Sequence, residues 1–297
     1  MGAAIASAVV LAVSGGTLGE PSLLHRADPA TLRYEGAALR LPSAAFGLAW
    51  ARRGGALAVV AKPTGGVGFR IRIVALRPRL RVVGTVAVGP RDVCGLTFRG
   101  ATLVALAADR PCYWSGARFT ILRIDVRARR IAGVRAVRGL RIAAPPNLAF
   151  GDGRAFVARA DGGVDAVDLA TGVTTTHRPR RALAKGAGVV FASWLGGGLL
   201  GVGKRVVDVR TWRVRMLVRG ARGVIRAGGG LAAYGAQGVG VYTRRGRLLY
   251  RPIASPVSAG VAAWGRYLYA GGEIVDLATH RVQAAALEPV PDFLLGG

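Results

Sequence analysis

Apolar and polar residues alternate along most of this chain in short runs, and a glycine- or arginine-containing break closes each run. The stretch 147–178 shows the pattern most clearly: NLAF, RAFVARA, VDAVDL and VTTTHRP succeed one another through GDG, DGG and ATG. Period-two patterning of this kind predicts β-strands with one face towards a core, joined by tight turns. No uncharged apolar run reaches the roughly 18 residues that would make a membrane-spanning helix.

The pattern repeats. VDLATG at 167–172 recurs as VDLATH at 275–280, VDVRTW at 207–212, IDVRAR at 124–129 and ADPATL at 27–32, and weaker copies stand near Ala75 and Tyr242. Five of eleven aspartates occupy this one frame (Asp28, Asp125, Asp168, Asp208 and Asp276). In each copy an alternating strand ends at Asp, whose side chain can bond backbone two residues on and turn the chain into the next strand. A second frame precedes it, in which apolar strands end on an aromatic: GLAW (47–50), GLTF (95–98), NLAF (147–150), FASW (191–194) and VAAW (261–264). Marks at 28, 75, 125, 168, 208, 242 and 276 give seven units of about 41 residues, the length of a four-stranded propeller blade. The reading is all-β: one domain over 1–297, a seven-bladed β-propeller of four-stranded antiparallel blades. Trp50, Trp194 and Trp264 share one repeat position, and packing between adjacent blades is the expected role for such a set.

The unit GDGRAFVARADGGVDAVDLATG at 151–172 resembles the repeat of surface-layer-type and quinoprotein-like β-propellers, whose blades carry the V-D-L-A-T-G turn. That resemblance implies a rigid scaffold in an extracellular or cell-envelope setting. Such repeats host many unrelated functions.

Counting strands back from Asp28 gives a role to the opening MGAAIASAVVLAVSGG. Residues 9–13 fall at the second-strand position of the first blade, and the missing first strand is supplied by VPDFLLGG at the other end. Pairing the two ends in one blade closes the ring and removes exposed edges. The alternative is a secretory signal; the apolar core and small residues are present, but no Lys or Arg precedes Arg26.

Charge changes the picture of the surface. There are 42 basic residues against 15 acidic, a net charge of +27, and only Lys62, Lys185 and Lys204 are lysines. Such a field attracts polyanions. The arginines are spread along the chain, and Ala, Gly and Val are inflated alongside them, as a GC-rich coding sequence also produces.

Chemical motifs are few. GGLLGVGK at 197–204 contains a G-x-x-x-x-G-K spacing, but Arg205 stands where a phosphate loop needs Ser or Thr, and the flanks read as strands. His25, His177 and His280 fall in different blades without ligand spacing, and no metal or other cofactor is expected. Four glutamates, and aspartates committed to turns, leave little material for acid–base catalysis. A non-enzymatic role is therefore expected, with a quinone-dependent dehydrogenase as a minor alternative suggested by the resemblance alone. Cys94 and Cys112 match no zinc or redox signature and are either one disulfide or two buried thiols.

The face bearing the connections between second and third strands, and from each blade to the next, gathers the candidate contact residues Lys62, Arg91, Asp92, Arg110, Tyr113, Trp114, Arg180, Arg181, Lys185, Lys204 and Arg222. Its longest loop, DRPCYWSGARFT at 109–120, sets aromatics beside arginine. Recognition concentrates on such loops. The expectation is a monomeric scaffold binding a protein, glycan or other envelope component on this face, with polyanion binding through the arginines as the alternative.

Overall fold

The computed structural model describes residues 10–14, 22–41, 48–61, 70–114, 116–140, 142, 148–159, 161–178, 191–257, 260–286 and 293–295. Their regular structure is entirely β: seven antiparallel sheets of four strands each. We call the sheets blades 1–7 and their strands A–D in ladder order. In blade 4 these are Leu148–Gly151, Arg154–Ala158, Val164–Asp168 and Thr174–His177. From blade 2 to blade 7 the A strands of successive blades touch one another, so they line the inside of the arrangement.

Blade 1 draws on both chain ends. Val10–Ser14 pairs with Ser22–Ala27 on one side and with Phe293–Leu295 on the other, in the register Leu11↔Leu295, Ala12↔Leu294 and Val13↔Phe293. Of the expected strand residues 9–13, Val9 lies outside the described residues. Leu11 and Val13 are fully buried in a cluster with Leu24, Leu57, Val59 and Val74, which joins blade 1 to blade 2.

The Asp frame is the turn between strands C and D. Asp168 Oδ1 accepts from the Ala170 N–H at 2.8 Å, the Thr171 N–H at 2.8 Å and the Thr171 hydroxyl at 3.0 Å. Asp28 repeats the arrangement with Ala30 and Thr31. In four of the five copies a backbone bond closes the turn, from the N–H four residues on to the Asp carbonyl: Leu32 to Asp28, Gly172 to Asp168, Trp212 to Asp208 and His280 to Asp276. In the blade-6 copy Thr243 replaces Asp, its Oγ1 accepting the Arg247 N–H at 3.1 Å.

That fourth residue adopts a left-handed conformation in every Asp copy: φ is 59° at Leu32, 54° at Arg129, 75° at Gly172, 54° at Trp212 and 61° at His280. Glycine does this freely, whereas a non-glycine residue carries a cost of order 1 kcal/mol. The side chains that bear the cost reach the preceding blade. Trp212 stacks on His177 with centroids 3.7 Å apart. His280 lies against Tyr250 at 4.1 Å. The Arg129 stem covers Gly84. Leu32 is buried among Trp264, Tyr269 and Ile274 of blade 7. At Gly172 the backbone itself comes close, and a Cβ would strike the Ala136 carbonyl.

The strand-A tryptophans also work between blades. Trp194 stacks on Phe156 at 5.5 Å and occupies the space that a side chain at Gly151 would need. The Trp264 indole N–H donates to the Pro29 carbonyl at 2.9 Å. Trp50 packs into the cluster between blades 1 and 2.

The turn carboxyls make stability depend on pH. Burial raises the Asp28, Asp168 and Asp276 carboxyls, but donors from their own turns outweigh it and hold all three below the ordinary aspartate range. Each then binds its proton less readily folded than unfolded, so the stabilisation is complete above about pH 4 and is lost as pH falls through the lower folded-state values. The midpoint of urea unfolding should drop steeply below about pH 4, and Asp168→Asn should flatten that slope. Equal slopes in the two proteins would contradict the role given to the turn.

Candidate functional site

Blade 3 carries the longest described connection between strands B and C. Its strands are Asp92–Arg99, Thr102–Ala108, Phe119–Asp125 and Arg130–Val137, and the loop is 109–118. A loop of this length costs conformational entropy when it orders against a partner. Three constraints lower that cost. A disulfide joins Cys94 of strand A to Cys112 of the loop, with Cα atoms 5.7 Å apart. The Cys112 N–H donates to Asp92 Oδ2 at 2.9 Å. At the loop's base the Asp109 N–H donates to the Arg118 carbonyl at 3.1 Å, and the Arg118 N–H donates to Asp109 Oδ1 at 2.9 Å, holding that carboxyl below its ordinary range.

The tip turns through the Trp114 N–H to the Pro111 carbonyl at 2.9 Å. It leaves Tyr113 51% and Trp114 56% exposed. Large aromatics this exposed on a braced loop suit recognition, because they offer contact area with few torsions left to freeze.

The structure brings Arg91, Asp92, Arg110, Tyr113 and Trp114 together around this bridge. Asp92 is the first residue of strand A and only 5% exposed, so it holds the loop and does not face a partner as the sequence suggested. The Arg91 Nη1 donates to the Val88 carbonyl at 3.1 Å. Arg110 pairs with Asp109 at 3.4 Å on the surface, where solvent screens the interaction. Lys204 sits half-buried in a blade-5 turn, and Arg222 lies within blade-6 strand A (Ala221–Ala227), two and three blades away from the loop. Lys62, Arg180, Arg181 and Lys185 lie outside the described residues.

The remaining motifs resolve structurally. Within the phosphate-loop-like stretch Leu199–Val202 is an extended strand, so its backbone does not curl around an anion. His25 stacks on Tyr34 at 4.1 Å, which gives all three histidines an aromatic neighbour. Burial holds His25 and His177 below the ordinary imidazole range, and the Arg154 charge adds to the effect at His177. Among the described residues no three His, Cys, Asp or Glu side chains gather where a metal ion could be held.

No family model matches this chain, and no curated protein matches it. Its backbone is similar to those of solved structures, among them two that overlap most of the chain. One is BamB from Moraxella catarrhalis, a β-propeller, at 14% identity and a TM-score of 0.51, covering 91% of this chain and 86% of that one. The other is the computationally designed Ika8 protein, at 14% identity and a TM-score of 0.51, covering 95% and 97%. The likeness is one of fold: a β-propeller.

The disulfide closes an 18-residue separation, for which loop entropy gives about 3 kcal/mol. Cys94→Ser/Cys112→Ser should lower unfolding free energy by about that amount in urea titration and should render the 109–118 amides exchangeable. A double variant as stable and as protected as the wild type would show that the bridge braces nothing.

Proposed function

We propose that the protein is a non-catalytic scaffold that presents its loop face, led by Tyr113 and Trp114, to a protein, glycan or other envelope partner. The observation that carries this reading is the combination of two aromatics more than half exposed with a loop braced by a disulfide and two aspartates. A braced loop keeps its shape on binding, so little of the contact energy is spent on ordering it. Arg91, Arg110 and Arg118 around it supply polar rim contacts.

A second reading, polyanion binding, is favoured by one stretch of the surface: residues 209–272 contain eleven arginines and no Asp or Glu. Salt separates the two readings. Polyanion binding weakens steeply between about 50 and 200 mM salt, whereas an aromatic-centred contact does not.

The test is a photo-reactive phenylalanine analogue placed at Tyr113 in cells that make the protein. One discrete cross-linked partner is expected, lost in Trp114→Ala and retained on washing in high salt. No adduct, or an adduct indifferent to Trp114, contradicts the scaffold reading; retention on heparin that collapses with salt moves the assignment to the second.

A further inference from the structure

A groove of about 650 Å³ runs between blades 4 and 5 on the turn face, opposite the loop face. Its walls include Asp152, Arg154, Thr175, His177, Arg210 and Trp212. A groove of the same construction lies between blades 7 and 1 but measures about 260 Å³. The difference has an identifiable cause. Gln283 pairs with Ile274 in the blade-7 ladder, and its Nε2 donates across to the Ala30 carbonyl of the blade-1 turn at 2.7 Å. In blade 4 the equivalent of Gln283 is Thr175, which pairs with Ala166, and the equivalent of Ala30 is Arg210. Threonine is too short to bridge the blades, so the space stays open, with a guanidinium on its far side.

Two cations face this space without being consumed. Neither Arg154 nor Arg210 makes a side-chain hydrogen bond or ion pair among the described residues. Arg154 acts on Asp168 and His177 through its field alone. Asp168, directly opposite Arg154 in the ladder, has its Oδ1 occupied by three donors of its own turn. The stacked His177–Trp212 pair makes a flat wall beside the cations. Guanidinium groups bind phosphate and carboxylate oxygens in bidentate fashion. A pocket between about 300 and 1,000 Å³ with a few convergent polar groups is the size of a small-molecule site.

We infer that this groove binds a small hydroxylated oxyanion, such as a phosphorylated or carboxylated sugar, with Arg154 and Arg210 on the anionic group and with Asp152 and Thr175 on the hydroxyls. The site stands apart from the Tyr113–Trp114 loop and does not depend on the role given to that loop.

The full-length protein, titrated with glucose 6-phosphate, glucuronate, inorganic phosphate and glucose, tests this through the ring resonances of His177. The two acids should shift those resonances saturably, glucose should not, and glucose 6-phosphate should bind more tightly than inorganic phosphate. If only the phosphorylated sugar binds, the ligand is a phosphate ester; if only glucuronate binds, it is an acidic sugar. Arg210→Gln should weaken binding at least tenfold. Thr175→Gln should do the same, because it installs the side chain that narrows the blade 7–1 groove without changing the charge. Arg127→Gln, the same charge change in the blade-3 turn, should leave affinity unchanged. The inference is overturned if neither acid binds, if Arg127→Gln weakens binding as much as Arg210→Gln, or if Thr175→Gln binds like the wild type.

Discussion

The reversal from strand C to strand D is held by one carboxylate oxygen taking up to three donors, and the packing of blade on blade follows from it. With Asp28 or Asp168 saturated in this way, the next turn position is forced into the left-handed region. A residue there projects sideways out of its own sheet. It lands on the preceding blade: stacked Trp212, tilted His280 and the Arg129 stem meet its outer strand, and Leu32 is buried among Trp264, Tyr269 and Ile274 further in. Glycine would relax the backbone, yet four of the five Asp copies keep a side chain. The contact energy across the joint must exceed the strain of about 1 kcal/mol if these side chains are to add net stability.

The same device operates at the joint between blades 7 and 1. Leu32, with the bonds from Trp264 to Pro29 and from Gln283 to Ala30, connects the last blade to the first. Within blade 1 the strand from the far end pairs with Val10–Ser14. Sequence-distant ends are thus tied twice, once by a ladder and once by a turn. This division also separates the two faces. Short, saturated turns make one face regular, with grooves whose size depends on a single strand-D side chain. The other face is free to carry longer connections, of which the bridged 109–118 loop is the most elaborate described.

Much of the architecture was legible in the residues. The Asp frame has a fixed chemistry, so its recurrence gave blade number, turn positions and the assignment of FLL near the C-terminus to blade 1. The aromatic frame placed Trp194 and Trp264 between blades. Less visible was anything that depends on partners brought together across blades. The left-handed position reads Leu, Arg, Gly, Trp and His in its five copies, and no composition rule links these; only the shared φ does. Cys94 and Cys112 left two outcomes open, because pairing depends on where the loop folds back. Asp92 reads as an exposed loop acid, yet the ladder starts with it and buries it. The blade 4–5 groove rests on Thr175 standing where blade 7 has Gln283, a contrast that means nothing until both registers are known.

The central claim, that the left-handed turn residue binds blades 1, 3, 5 and 7 to their predecessors, is tested most directly by urea unfolding of Leu32→Gly. Glycine removes the backbone strain, so a residue serving only the turn would gain stability on replacement. Loss of a fully buried leucine costs about 2–5 kcal/mol, and relief of strain returns about 1. The account predicts a net loss of about 1–4 kcal/mol; a variant as stable as the wild type, or more stable, would contradict it.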